Sequence, residues 1–175
     1  MRVVLKPVQS FADQQVLAKL AGEIWREFWP SRIGVDQTEY MVKNFQSLDA
    51  IVRDMEQHAY EYWFVQADEA ACGFVPGDIV GYTGGHVEAE TNRFFISKIY
   101  LLAAVRGQHI CTRIIEHYVE LCKSRGLHAM YLTVNKYNEL GIRAYAAKGF
   151  KTIDAVETQI GEGFIMDDFI MQKTL

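Results

Sequence analysis

The first third of the chain has the spacing of amphipathic helices. A helix is predicted over Phe11–Phe28, because apolar residues recur four positions apart along it. Ser10 and Asp13 form a capping-box sequence at its start. A second helical region is predicted over 38–57, with an interruption near 47–49. The apolar stripe of the first helix consists of Val16, Leu20, Ile24 and Phe28.

The remaining segments alternate between strand and helix patterns. Strands are predicted at Arg2–Val8, Tyr60–Ala67, Ile79–Glu88, Arg93–Leu102, Ala129–Val134, Phe150–Gln159 and Phe164–Lys173. Two further helices are predicted at Gln108–Ser124 and Asn138–Lys148. This order indicates an α+β fold, with helices early in the chain, a meander of strands in the middle and a strand–helix–strand unit afterwards. Its parallel strand pair is expected at the right-handed crossover.

Composition and charge argue against several classes of protein, namely nucleic-acid-binding, membrane, secreted and metal-binding proteins. Half of the 175 residues are apolar and 13% are aromatic, which predicts a single folded domain over residues 1–175. The net charge of −4 argues against nucleic-acid binding, which needs a basic face. No apolar run approaches the roughly 20 residues of a membrane helix, and the first seven residues are too short for a signal peptide. Cys72, Cys111 and Cys122 lack metal-ligand spacing. We therefore expect a cytoplasmic protein with reduced thiols, without a metal and without a membrane partner.

The candidate chemistry lies between Phe95 and Phe150. An apolar run, Ile99–Ala103, leads into the basic turn Arg106–Gly107, and an amphipathic helix follows at once. The first N–H groups of a helix have no partner inside it, and the helix dipole places partial positive charge there. Such a strand–turn–helix junction is suited to hold a phosphate or pyrophosphate. Neither a G-x-G-x-x-G fingerprint nor a Gly-Lys-Ser/Thr phosphate loop is present, which argues against dehydrogenases and kinases.

Four separated segments then resemble the GCN5-related N-acetyltransferase (GNAT) superfamily, and they occur in the family's order. The segments are Lys98–Cys111, Leu132–Val134, Asn138 with Ala144–Phe150, and Asp168–Lys173. The resemblance implies the acyl-CoA N-acyltransferase fold, a central mixed and mostly antiparallel sheet flanked by about four helices. It also implies acetyl-CoA as the donor and a small-molecule primary amine as the acceptor, and relatives are often homodimers.

The resemblance also assigns roles to individual residues. Backbone N–H groups of the loop and first helical turn would bind the pyrophosphate, and backbone groups at the end of the strand would pair with the pantetheine arm. Asn138 would contact the same arm, and Tyr145 would protonate the departing thiolate. The loop residues are Arg106, Gly107, Gln108, His109, Ile110, Cys111 and Thr112, and the strand residues are Tyr100, Leu101 and Leu102.

Two departures from the family pattern stand out. His109 replaces an expected glycine and Cys111 an expected glycine or alanine, so the loop is bulkier than the pattern requires. The second departure concerns the base, because Phe95 stands where many relatives carry a glutamate. The group that deprotonates the acceptor therefore stays open among His86, Glu88, Tyr100 and water, with water as the default. A thiol at a helix amino terminus, such as that of Cys111, can also have a lowered pKa.

The acceptor pocket is expected between the first two helices and the loops around Gly84-Gly85-His86, with Trp25, Phe28 and Trp29 packing the first helix. Asp167 and Asp168 are interpreted as a turn or edge feature. The leading hypothesis is an N-acetyltransferase in which the amine attacks the thioester directly. The alternative is a catalytically weakened acyl-CoA-binding or regulatory module, and the bulkier loop favours it.

Overall fold

A computed structural model describes all residues from 1 to 175 and contains one seven-stranded sheet in the order β1-β2-β3-β4-β5-β7-β6. The strands are β1 (Val3–Pro7), β2 (Glu61–Ala67), β3 (Ile79–Glu88), β4 (Arg93–Leu101), β5 (Ala129–Asn135), β6 (Lys151–Gly161) and β7 (Phe164–Thr174). The helices are α1 (Phe11–Phe28), α2 (Pro30–Ile33), α3 (Val35–Phe45), α4 (Leu48–Gln57), α5 (Ile110–Ser124) and α6 (Glu139–Ala146). Only β4 and β5 run parallel, so the predicted mixed, mostly antiparallel α+β fold is confirmed.

The helices of the first third differ from the prediction in number. The region predicted over 38–57 consists of α3 and α4, which Ser47 separates by capping the second of them through the N–H of Ala50. The short α2 was not predicted; it begins at Pro30, a residue whose fixed φ suits the first turn of a helix. The fold therefore has six helices instead of about four.

The buried face of α1 contains Leu20 and Ile24 of the predicted stripe, but Leu17 takes the place of Val16. Val16 is 47% exposed, whereas the neighbouring Leu17 is fully buried. The inward positions follow an i, i+3, i+4, i+7 spacing, which keeps them on one face of a helix with 3.6 residues per turn. They are Leu17, Leu20, Ala21 and Ile24. The capping box of Ser10 and Asp13 is present as predicted.

The sheet has a hydrophobic core on each face. On one face α5 packs at helical spacing through Ile110, Ile114, Tyr118 and Cys122. On the other face α1 and α4 cover β2 and β3 through Leu17, Leu20, Ile24, Ile51, Tyr62, Phe64 and Tyr82. Both ends of the loop before α5 are thereby attached to rigid elements. None of the six helices is long and apolar enough to cross a membrane.

A wedge opens between β4 and β5, and it positions the candidate site. The two strands pair only from Arg93–Ile96 with Ala129–Leu132. Beyond that point β4 stays with β3, and β5 stays with β7. The register of β4 against β3 also shifts at Ser97, where Lys98 faces Gly84 but Ile96 faces Gly85. Such a bulge bends the strand, so the carboxyl halves of β4 and β5 diverge.

Candidate active site

The loop between β4 and α5 presents a row of unpaired backbone N–H groups. Gly107 and His109 both have left-handed backbone conformations, with φ of 79° and 59°. No acceptor within the protein takes the N–H groups of Gly107, His109, Ile110 and Cys111, whereas Thr112 donates to the carbonyl of His109. The amino end of the 15-residue α5 adds its partial positive charge to this row. The arrangement is that of an anion site.

His109 holds the conformation that the family pattern assigns to glycine. It lies at the position before α5, and its side chain makes no capping hydrogen bond there. A non-glycine residue in this region costs roughly 1–2 kcal/mol, although histidine tolerates it better than most residues. The backbone path of the loop is therefore retained despite the substitution.

The free edge of β4 contributes further backbone groups. Leu102 donates its N–H to the carbonyl of Val80 on β3. Because successive residues of a strand present their backbone groups to opposite sides, the groups of Ile99 and Leu101 face the wedge. Leu102 was predicted to pair with a ligand through its backbone, but its N–H is already used within the sheet.

Loop, strand edge and α6 together line a groove of about 470 Å³, called the loop groove below. Ten of the twelve predicted site residues line it, and Leu102 and Gln108 do not. The ten are Tyr100, Leu101, Arg106, Gly107, His109, Ile110, Cys111, Thr112, Asn138 and Tyr145. Lys148, two residues beyond the end of α6, lines the same groove and adds a positive charge.

The thiol of Cys111 is not activated. Burial raises its pKa to about 11, and the charge of Lys148 offsets this only in part. The pKa of Cys111 is therefore raised and not lowered, because burial disfavours the charged thiolate. Cys111 lines the groove as a small apolar side chain.

Asn138 and Tyr145 lie on the face of α6 that borders the groove. Asn138 caps the helix, since its Oδ1 accepts the N–H of Gly141 at 3.0 Å. A Cβ at Gly141 would lie 2.7 Å from the Asn138 amide nitrogen, so the glycine inside α6 leaves space for that side chain. Tyr145 rests against Phe150, with ring centroids 5.9 Å apart. Burial raises the pKa of Tyr145 well above its usual value, so the phenol keeps its proton at neutral pH.

A second, smaller cavity of about 100 Å³ occupies the wedge itself and is called the wedge cavity below. Five residues line both it and the loop groove, so the two spaces meet. The shared residues are Trp29, Ile99, Tyr100, Asn138 and Tyr145. The walls contributed by helices are Trp25, Trp29, Ile33, Gln37 and Met41. The wedge cavity is therefore lined in part by the early helices, where the acceptor pocket was expected.

The polar side of the wedge cavity contains Asp168, which the sequence reasoning misinterpreted as a turn or edge feature. Asp168 lies inside β7, opposite Asn135 on β5, and is only 4% exposed. Its Oδ1 has no hydrogen-bond partner. Burial, followed by the charge of Asp167, raises the pKa of Asp168 to about 6. Two adjacent acids inside an otherwise apolar stretch of a predicted strand were the one available signal for this position.

The two strand residues proposed as bases lie elsewhere. Neither His86 nor Glu88 lines the loop groove or the wedge cavity. Glu88 accepts hydrogen bonds from Arg93 and Tyr131 at 2.9 Å each. The hydrogen bond from Thr91 has the largest effect among the contacts that lower the pKa of Glu88. Both residues belong to the half of β3 that pairs with the amino end of β4, away from the wedge.

Gly84 and Gly85 do not line the pocket either. They serve close packing, since a Cβ at Gly85 would lie 2.0 Å from the carbonyl oxygen of Phe95. The imidazole of His86 lies against Tyr60, with ring centroids 4.6 Å apart, and burial lowers its pKa. The structure also contains no group of three or more His, Cys, Asp or Glu side chains that could hold a metal ion.

Comparison with known proteins assigns this geometry to a family. The sequence profile described as "Acetyltransferase (GNAT) family" matches residues 21–150. The chain belongs to this family. The uncharacterized N-acetyltransferase YjgM of Escherichia coli K12 is 26% identical over 108 residues, which span 62% of this chain and 61% of that protein.

Solved structures show the GNAT fold along the whole chain. The PaiA N-acetyltransferase of Thermoplasma acidophilum, in complex with coenzyme A, has a TM-score of 0.74 at 20% identity, with full coverage of both chains. A GCN5-related N-acetyltransferase from Rhodopseudomonas palustris has a TM-score of 0.78 at 14% identity and covers 100% of this chain and 97% of its own. These likenesses establish the fold, and the predicted GNAT membership is confirmed.

Proposed function

We infer that this GNAT protein transfers the acetyl group of acetyl-CoA to a primary amine of a small molecule. The observation that carries the inference is the junction of the two spaces. The loop groove, with its row of free N–H groups, meets the wedge cavity at Tyr145 and Asn138. A donor bound in the groove and an acceptor bound in the cavity would therefore meet at these side chains.

The loop groove has the groups that a coenzyme A moiety needs. The free N–H groups of 107 and 109–111 suit a pyrophosphate. The backbone groups of Ile99 and the N–H of Leu101 are available to a pantetheine arm that adds to the edge of β4 like a strand, while the Leu101 carbonyl already accepts a hydrogen bond from Arg106. Coenzyme A in the complex of the structurally similar PaiA protein supports this assignment.

The reaction would be a direct attack of the amine nitrogen on the thioester carbonyl. An N–H of the β4 edge would polarise the carbonyl oxygen, as the donors of an oxyanion hole do. The electron pair of the broken C–S bond goes to sulfur. Tyr145 then donates its proton to the thiolate, because its phenol keeps that proton at neutral pH and lies where the two spaces meet.

Two measurements on the same preparation test this function. Calorimetric titration should show that acetyl-CoA binds, and a panel of primary amines should release the CoA thiol. Desulfo-CoA, which lacks the reactive group but retains the pyrophosphate, should compete with the donor. Absence of binding at millimolar acetyl-CoA would contradict the donor assignment. A cytoplasmic location and a homodimer stay predictions.

The second candidate is an acyl-CoA-binding module with little catalysis. The specific observation in its favour is His109, whose side chain occupies a loop position that the family pattern reserves for glycine. Such a module would bind acetyl-CoA in the calorimeter and release no thiol with any amine of the panel. The two functions therefore differ in the second measurement alone.

A further inference from the structure

Asp168 is a buried acid, and one of its two carboxylate oxygens has no partner within the protein. It is 4% exposed, and its Oδ1 makes no hydrogen bond. The neighbouring Asp167 forms an ion pair with Lys136, so that lysine does not neutralise Asp168 directly. A buried carboxylate without a cation is costly to the fold. A ligand that brings a cation into the wedge cavity would remove this cost.

The walls around Asp168 suit a cation as well. Trp25 lies 5.3 Å from Trp29 and 5.4 Å from Tyr100, measured between ring centroids, and all three line the wedge cavity. The faces of such rings attract ammonium groups. No lysine or arginine is among the lining residues, so Asp168 is the only residue there with a formal charge at neutral pH.

The size of the wedge cavity limits what can enter it. Its volume of about 100 Å³ is smaller than the roughly 150 Å³ of a cavity that binds benzene. An unbranched aminoalkyl chain fits this space, whereas a sugar ring bearing the amine does not. The remainder of a larger acceptor would have to stay outside the wedge.

We propose that Asp168 binds the ammonium group of an unbranched primary alkylamine and accepts the proton that this group must lose before it attacks. The proposal rests on the proposed function, because it concerns the acceptor end of the same site. It assigns the open role of the base to a residue of β7 and replaces the water route that the sequence favoured.

The proton and electron balance is complete with these residues. The ammonium gives one proton to the Asp168 carboxylate, and the free amine forms the C–N bond as the C–S bond breaks. Tyr145 protonates the thiolate, and the second proton that the nitrogen loses on becoming an amide returns to the Tyr145 phenolate. Asp168 then releases its proton to solvent. The products are the N-acetylamine, CoA with a free thiol and one proton.

The charges around Asp168 set the pH range of this role. The titratable or charged groups that face it are Tyr100 on β4, Lys136 after β5, Tyr145 on α6 and Asp167 on its own strand. The helices contribute only uncharged side chains to the cavity. Burial and Asp167 raise the pKa of Asp168 to about 6, while Asn135 and Lys136 act in the opposite direction. The carboxylate that receives the ammonium therefore forms above about pH 6.

The test compares wild type, Asp168→Asn and the matched control Asp167→Asn with n-butylamine and its shorter and longer linear homologues. Thiol release is followed from pH 5 to pH 9, and acetyl-CoA affinity is measured by calorimetry. We expect wild-type kcat/KM to fall below about pH 6. In Asp168→Asn the KM for the amine should rise about 30-fold, as for a lost partner of a buried ion pair, and the acid limb should disappear. Asp167→Asn should keep the wild-type KM and an acid limb, and that limb should move to lower pH because Asp167 no longer raises the pKa of Asp168.

Each outcome decides a different question. Thiol release by wild type with an unchanged KM and acid limb in Asp168→Asn overturns the role of Asp168 and leaves the proposed function intact. Absence of thiol release by wild type with every amine overturns both. Unchanged acetyl-CoA affinity shows that the variant is folded. If the Asp168→Asn variant does not fold, the affinity of the wild-type complex with CoA for n-butylammonium is measured as a function of pH. Affinity that does not decrease below pH 6 contradicts the proposal.

Discussion

Arg106 forms a two-pronged ion pair with Glu27 and thereby joins the loop before α5 to the last turn of α1. The two N–O distances are 2.5 and 3.2 Å. The same guanidinium donates through Nε to the carbonyl of Leu101 at 3.1 Å and lies 4.8 Å above the ring of Phe28. Contacts with Glu27, the Leu101 carbonyl and the Phe28 ring therefore hold Arg106, and with it the start of the loop, in place.

Replacing Arg106 with alanine should weaken acetyl-CoA binding about tenfold, as measured by calorimetry. The variant loses the hydrogen bond that holds Leu101 at the free edge of β4, and one such bond contributes about 1–1.5 kcal/mol. Glu27→Gln should change the affinity less than about fivefold, because 49% of the Glu27 side chain is exposed and exposed ion pairs contribute little. Equal effects of the two variants would contradict the role given to the backbone contact.

His109→Gly should stabilise the protein by about 0.5–1 kcal/mol in urea unfolding. Relief of the left-handed conformation contributes roughly 1–2 kcal/mol, and the greater freedom of glycine in the unfolded chain removes part of that gain. Acetyl-CoA affinity should stay within about threefold of wild type, because the backbone of the loop already follows the path that glycine would take.

The matched control for His109 is Glu162→Gly in the turn between β6 and β7, where φ is 52°. It should stabilise the fold by a similar amount without any effect on ligand affinity. If His109→Gly instead bound acetyl-CoA ten times more tightly, the imidazole would be crowding the loop groove. That result would favour the weakened binding module.

Tyr145→Phe should lower kcat about 100-fold and leave acetyl-CoA affinity unchanged, because a positioned general acid contributes roughly 10²–10⁴-fold. The ring that lines both spaces is retained in this variant, and only the proton donor is lost. Stopped-flow measurement of thiol release, combined with calorimetry, separates the two quantities. Tyr137→Phe is the control, since Tyr137 is 72% exposed and lines neither space. Equal rates for Tyr145→Phe and wild type would remove Tyr145 from the mechanism.

The sequence predicted the loop groove better than the wedge cavity, and the reason is physical. The groove follows from local order, since a strand, a turn and a helix are adjacent in the chain from Ile99 to Cys111. Helix α6 was predicted from its cap at Asn138, which is also a local signal. The segments that line the loop groove were therefore visible before the structure was known.

The wedge cavity combines residues that are distant in the chain. Trp29 and Asp168 meet only because β4 and β5 diverge and β7 inserts beside β5. The sequence of β7 shows two adjacent acids in an apolar strand, but it does not show what covers them. The sequence also does not show how far along β3 the site lies. His86 and Glu88 were therefore considered as bases, although they pair with the amino end of β4, away from the wedge.

A buried ion pair under the β2–β3–β4 face was not predicted either. Lys98 on β4 lies 3.2 Å from Asp54 on α4, with side-chain exposures of 7% and 14%. The hydroxyl of Tyr62 also donates to Asp54, at 2.9 Å. Burial lowers the pKa of Lys98, and Asp54 opposes that change. Asp54 therefore supplies the counter-charge for the Lys98 ammonium inside the fold.

Asp54→Asn should destabilise the protein by about 3 kcal/mol at pH 7, because it leaves a buried ammonium without its counter-charge. The loss should shrink as pH rises toward about 10, the pKa of lysine in the unfolded chain. The pKa of Lys98 is lowered in the folded variant, so the unfolded state binds more protons and stability increases with pH. Urea unfolding at pH 7 and pH 9.5 measures this difference. The double variant Asp54→Asn/Lys98→Met should recover most of the stability, since no unpaired charge stays buried. A loss that is independent of pH and persists in the double variant would place the cause in packing around Tyr62.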